Sequence, residues 1–306
     1  MPKEILCLHC NSTNTVKKGF RKNKLHTIQK FFCKSCGKFF TLSPMKNKTY
    51  PPKIILDSIS AYNIGHTLEK TSKIINKKYK VKLPVTTLND WLDEFKPIYR
   101  KIRKSIIKKY NPSSLIQKKT FHHHKQIFDF RLHKAKLDMY CKFPSLKDYL
   151  ENIEKNCPND LFESNKRISE IKQDAGHIKV YKKYNYACKL ADLALKITKN
   201  NKQRHNIIEN FMLINDIATI ATEIPVYVKI KNRIFTGHID LIQIRFNKIY
   251  VLDFKPEAEK DNPIVQLYLY ALGLSKITNI PLKNFRCAYF DDNNYFEFYP
   301  RYIKIM

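Results

Sequence analysis

The chain has 306 residues, 43% of them hydrophobic, and a formal net charge of +30. That length allows two or three domains with sizeable cores. No run approaches the roughly 20 apolar residues of a membrane span, so no membrane partner is expected. The N-terminal stretch MPKEILCLHC lacks the apolar core of a signal peptide, which points to a cytoplasmic compartment. The charge is uneven: residues 1–120 hold 27 Lys and Arg against 6 Asp and Glu, and the remainder 30 against 21. A field of that sign attracts polyanions, and DNA is the expected partner. The bland alternative is a lysine-rich, solvated surface.

The first element is a cysteine module. Cys7 and Cys10 form one CxxC pair; after 22 intervening residues Cys33 and Cys36 form another, followed by Gly37. Each pair bends the chain so that two thiolates meet one ion, and two pairs complete the closed tetrahedral set of a structural zinc site, with a redox dithiol or an iron site as the alternative. About forty residues build little core, so the metal would supply folding energy. Between the pairs, Lys17, Lys18, Arg21, Lys22, Lys24 and Lys30 suggest a basic hairpin.

Residues 46–100 suggest three short helices. Ile55, Ile59 and Tyr62 share one helical face, Gly65 ends that helix, and Leu68, Ile74 and Ile75 mark a second. In LPVTTLNDW, Thr86 or Thr87 is the expected cap of a third helix whose Leu88, Trp91 and Leu92 face inward. Helix, short turn, helix is a helix-turn-helix arrangement whose last helix would enter the major groove. That helix is acidic, with Asp90, Asp93 and Glu94, so phosphate contacts are expected from the flanks. These include Lys96, Arg100, Lys101, Arg103, Lys104, Lys108 and Lys109. An unliganded three-helix bundle is the alternative. The cysteine module and this segment together resemble the zinc ribbon and helix-turn-helix at the front of insertion-sequence transposases.

Residues 101–180 suggest a basic, mostly helical connecting region, with a solvated histidine run at 122–124. Residues 181–306 suggest helix, three strands, helix and two strands. EIPVYVKI places Ile224, Val226, Val228 and Ile230 on one face; IFTGHIDLIQI and IYVLDFK follow after short turns. Asp253 and Lys255 share a face by period-two geometry, and a meander can bring Asp240 beside them. Two carboxylates and a lysine suit Mg²⁺ or Mn²⁺ and phosphodiester hydrolysis. A structural ion pair is the alternative for Asp253 and Lys255, and two similar triplets, Glu94–Lys96 and Glu170–Lys172, occur elsewhere.

Further residues occur in a telling order. RHNIIENFML supplies His205, with Glu209 one turn on; TEIPV supplies Glu223; PIVQLYLYALG supplies Gln266 and Tyr270, after Asn262 as cap and Pro263 at the first helical position. With GHID and VLDFK, they resemble the RecB-type branch of the PD-(D/E)XK nuclease superfamily over residues 185–306. The resemblance implies that His205, Asp240, Asp253 and the Phe254 carbonyl ligate Mg²⁺ or Mn²⁺, that Lys255 is the catalytic lysine, and that Glu223, Gln266 and Tyr270 support the site or contact DNA. Some relatives in that branch carry an iron–sulfur cluster. Here only Cys287 follows the core, and no cluster is expected.

The expected architecture is therefore multidomain, combining α+β and α/β parts. It comprises a zinc ribbon (1–45), a helix-turn-helix domain (46–100), the connecting region (101–180) and a restriction-endonuclease-like mixed sheet flanked by helices (181–306). The expected function is metal-dependent DNA hydrolysis in repair, mobile-element processing or defence. Double-strand cutting by one site per chain favours a homodimer. The alternative is a DNA-binding regulator or adaptor whose nuclease domain is degenerate or depends on a partner.

Overall fold

A computed structural model describes residues 5–22, 25, 27–42, 45, 48–95, 109–171, 178–198 and 203–303. Three strands, β1 (Thr15–Lys22), β2 (Thr27–Cys33) and β3 (Phe39–Thr41), form the first sheet, all antiparallel. Among the described residues its buried core is Cys7, Phe31, Cys33 and Phe40, with Ile5 and Cys36 packed against it. Among the expected basic positions, Lys24 and the run Lys96, Arg100, Lys101, Arg103, Lys104 and Lys108 lie outside the described residues.

Helices α1 (Pro52–Asn63), α2 (Leu68–Tyr79) and α3 (Val85–Glu94) follow. Gly65, at φ 119°, turns the chain after α1, a backbone that favours glycine. The Thr67 hydroxyl caps α2 by accepting from the Lys70 N–H. Neither Thr86 nor Thr87 caps α3: the helix starts at Val85, with Pro84 at the N-cap. Ile55, Ile59, Ile75, Leu88, Trp91 and Leu92 are buried as their spacing predicts.

The second sheet has nine strands, in the order β4 (Ile116–His123), β5 (Gln126–His133), β8 (Thr219–Ile230), β9 (Arg233–Arg245), β10 (Lys248–Phe254), β11 (Phe285–Phe290), β12 (Tyr295–Phe298) and β7 (Tyr181–Lys183); β6 (Lys166–Arg167) pairs with β9. This corrects the expectation of a mostly helical connecting region at 101–180. Residues 116–133 form a hairpin whose second strand joins β8 through Arg131–Thr222 and Leu132–Ala221. The alternation of Phe128, Phe130 and Leu132, all buried, is a strand pattern that the surrounding charge obscures. The histidine run is corrected too. It lies at the hairpin turn, where His123 is 1% exposed and only His122 is open to solvent.

Helices cover both faces of this sheet. On one, α5 (Pro144–Glu151), α6 (Ile153–Asn156), α7 (Asn159–Ser164) and α10 (Ile264–Thr278) enclose a core containing Ile224, Ile242, Val251 and Leu267. On the other, α8 (Tyr186–Leu195) and α9 (Arg204–Asn215) pack over Leu241, Leu252 and Phe290. The three-helix module shares that second core, since Ile55, Ile59 and Trp91 belong to it. Asn63 donates to the Asn215 side chain at 2.8 Å, and Asn215 donates to the Ser60 hydroxyl at 2.9 Å. Helix α10 begins one residue later than expected, at Ile264, with Pro263 at the N-cap.

A buried lysine fastens the end of α9. Lys136, on α4 (Lys134–Tyr140), donates to the carbonyls of Leu213 and Asp216, groups that a helix C-terminus otherwise leaves unpaired. Burial lowers the Lys136 amine from its ordinary 10.5 to about 7, against the opposing pull of Asp216. Between those two values the unfolded chain holds a proton that the folded chain has released, so stability rises with pH. Thermal melts from pH 7 to 9.5 should show the rise, at most about 1.4 kcal/mol per pH unit. Lys136→Met should lose the slope and destabilise by roughly 1–3 kcal/mol.

Candidate active site

The Cys7 and Cys36 sulfurs lie 3.6 Å apart, as do those of Cys10 and Cys33. All four lie within 4.8 Å of one another. A tetrahedron with metal–sulfur bonds of about 2.3 Å has edges of about 3.8 Å, so the cluster is built for a structural metal such as zinc. Gly37, at φ 67°, closes the second turn by donating to the Cys33 carbonyl at 2.9 Å.

The second cluster forms where strands part. β9 and β10 pair antiparallel from Arg245–Lys248 to Leu241–Leu252 and no further, while β10 continues against β11 to Phe254–Phe290. The Phe254 N–H turns instead to the Asp240 carboxylate, at 3.1 Å from Oδ2. Extended by one step, the register sets Asp240 against Asp253. On the other side of β9, the pairs Thr222–Leu241 and Ile224–Ile239 put Glu223 opposite Asp240. Glu223 holds a left-handed backbone, φ 52°, a costly conformation for a residue with a side chain. Glu223, Asp240 and Asp253 thus form one row across three strands, where like charges directly opposed are destabilising.

Helix α9 supplies the next two groups. His205 Nδ1 lies 3.3 Å from Asp240 Oδ2. Glu209, one turn on, is 1% exposed; its carboxyl faces that of Glu223, and no basic or hydroxyl group among the described residues donates to it. Donor atoms of His205, Glu209 and Asp240 all lie within 4.8 Å of one another. Lys255 Nζ lies 2.8 Å from Asp253 Oδ2.

The titration behaviour follows from this crowding. Burial, and then the Asp240 charge, push Glu223 up to about 8. Burial and the charges of Glu223 and Asp240 raise Glu209 well above the usual range. Burial and the Asp240 charge do the same to Asp253, against the pull of Lys255. Burial would raise Asp240 too, but the hydrogen bond and charge of His205 outweigh it and hold that acid at about 2. His205 and Lys255 are both raised: burial lowers each, and the carboxylates beside them more than compensate.

From the other side of the sheet, Gln266 donates to the Tyr270 hydroxyl at 3.0 Å. A Cβ on Gly237 would stand 2.6 Å from the Tyr270 ring, so the glycine lets that ring close on β9. The row of acids, His205, Lys255 and the Gln266–Tyr270 pair are therefore brought to one region. Phe254 contacts Asp240 through its N–H, whereas the sequence reading invokes its carbonyl. Two contributors escaped that reading as site residues. Glu209 carries a local signal, its i, i+4 spacing from His205. Arg131, whose charge lowers both Glu209 and Glu223, carries none, because the pairing of β5 with β8 is non-local.

The buried histidines form a separate layer beside the site. His123 Nδ1 lies 2.9 Å from His238 Nε2, its other ring nitrogen 3.0 Å from Asn159, and His124 lies 2.8 Å from the Thr236 hydroxyl. Phe128 stacks on His238 with ring centroids 3.6 Å apart.

Comparison of the chain with protein-family models, curated proteins and solved structures finds no match, so function is argued from this geometry. The buried carboxylate oxygens of Glu209 and those of Asp240, beside the His205 imidazole, could hold a metal ion, the carboxylates being hard oxygen ligands and the imidazole a ligand for transition metals. For the N-terminal cluster, elemental analysis of the purified protein should give one equivalent of zinc. Cys33→Ser should lose it and unfold β1–β3 while the large sheet persists; an unchanged zinc content would refute the assignment.

Proposed function

We propose that the chain is a metal-dependent deoxyribonuclease of the PD-(D/E)XK type, related to the RecB branch. The supporting observation is the row Glu223–Asp240–Asp253 at the parting of β9 and β10, flanked by His205 and Lys255. His205, Asp240 and Asp253 would hold Mg²⁺ or Mn²⁺, with the Phe254 carbonyl and Glu209 as further oxygen donors. A divalent cation bound there would lower the pKa of a bound water and draw charge from the scissile phosphodiester. The chain's own groups do the positioning. Asp240 orients His205 through its Nδ1. Lys255, 2.8 Å from Asp253 Oδ2, would orient the attacking water or stabilise charge developing on the phosphate oxygens. Water attacks phosphorus, the phosphorus–oxygen bond to the leaving strand breaks, and that strand departs with a proton. Gln266 and Tyr270 close one wall of the site.

The zinc-ribbon-like module and the three helices are proposed to bring the site to DNA. The exposed Lys70, Lys73 and Lys77 recur along one face of α2, a better phosphate-contacting surface than acidic α3, where Glu94 pairs with Lys48. Because the module shares a core with α9, DNA held there would stand in a fixed relation to His205 and Glu209.

Purified protein incubated with supercoiled, linear and single-stranded DNA should cleave with added Mg²⁺ or Mn²⁺ and not without. Asp240→Asn and Lys255→Ala should each lower the rate by about 10²–10³-fold while leaving binding intact. Cleavage that survives both substitutions would place the chemistry elsewhere. DNA binding without cleavage in every condition would favour the regulator or adaptor reading.

A further inference from the structure

A cavity of about 680 Å³ opens at the far end of the β8–β9 hairpin, between that hairpin and α10. Its size suits a ligand of nucleotide scale. Lys229, Lys231, Arg233 and Lys276 line it, all exposed, and among the described residues no Asp or Glu does. Lys276 donates to the Lys229 carbonyl at 3.3 Å, which draws its charge in over the cavity. The floor is apolar and includes the rings of Phe235 and Tyr268. Four cations around an aromatic floor repel one another until an anion arrives. A phosphate backbone with stackable bases answers both features, whereas an acidic peptide answers only the charge.

The cavity and the acidic row share two elements, β9 and α10. β9 runs from Phe235 directly to Asp240, five residues or about 17 Å at about 3.4 Å per residue. Helix α10 turns Tyr268 to the cavity, and its Gln266 and Tyr270 lie by the acids. At about 3.4 Å per nucleotide in a stacked strand, that separation corresponds to roughly five nucleotides.

We propose that this cavity is a second nucleic-acid site that holds a single strand about five nucleotides from the acidic row, phosphates on Lys229, Lys231, Arg233 and Lys276, a base against Phe235 and Tyr268. The site is defined by binding and stands whether or not the chain cuts DNA.

Photocrosslinking tests it on the full chain. A 12-nucleotide single strand carrying 5-iodo-deoxyuridine is bound without added divalent cation, irradiated, and the crosslinked peptide identified by mass spectrometry. The crosslink is expected on Phe235 or Tyr268, and its yield should fall at least tenfold in Lys231→Glu/Arg233→Glu. Those two residues sit at the exposed hairpin end, outside the acidic row. Unlabelled single strand should compete better than duplex of equal length and better than polyglutamate. Crosslinks confined to other segments, a yield unaffected by the double substitution, or polyglutamate or duplex competing as well as single strand would overturn the proposal. Crosslinking at the cavity with no cleavage under any condition would leave it standing and remove only the nuclease reading.

Discussion

The structure turns on an excess of negative charge in a place with little water. Glu209, Glu223, Asp240 and Asp253 gather where β9 and β10 part, and the cations nearest them, His205, Lys255 and Arg131, sit at the margins. Charges out of water are costly unless paired. Without a metal the cluster must keep protons on several of its acids, which is why three of the four are raised and only Asp240, facing His205, is lowered. A divalent cation bound among these acids would relieve the same crowding without those protons. Asp253 and Lys255, taken alone, form an ion pair. In the company of the other acids, that pair is one resting contact within a larger site.

The scaffold holds this costly arrangement from several directions. Lys136 secures the C-terminal end of α9 from beneath, and Asn215 binds the same end to α1. Across the sheet, Gly237 admits the Tyr270 ring, and Gly273 on α10 lies so close to β8 that a Cβ would stand 2.6 Å from the Tyr227 carbonyl. The three-helix module is part of this support, because its core continues into the core beneath α9. Removing it would disturb His205 and Glu209 as well as any DNA contact, so surface substitutions separate the two roles better than truncation.

The central strands and the helices of residues 52–94 were legible in the sequence, because their apolar periods are local and sustained. So were the cysteine cluster and the order of His205, Glu223, Asp240, Asp253, Lys255, Gln266 and Tyr270. The β4–β5 hairpin was not, since its alternating Phe128, Phe130 and Leu132 lie among charges and its partner strand is some ninety residues away. The same non-local pairing hid Arg131. His123 looked solvated within a run of three histidines, yet strand alternation turns it inward to meet His238. Pro84 stands at the cap where a threonine was the expected choice: proline fixes its own φ and needs no side-chain hydrogen bond to start the turn.

The most direct measurement is an anomalous-scattering map from crystals grown with Mn²⁺. The account predicts a peak within about 2.5 Å of an Asp240 carboxylate oxygen, bounded by His205 and by at least one of Glu209 and Asp253. No peak there, or Mn²⁺ only on exposed acids elsewhere, would contradict the claim that these carboxylates converge to hold a cation.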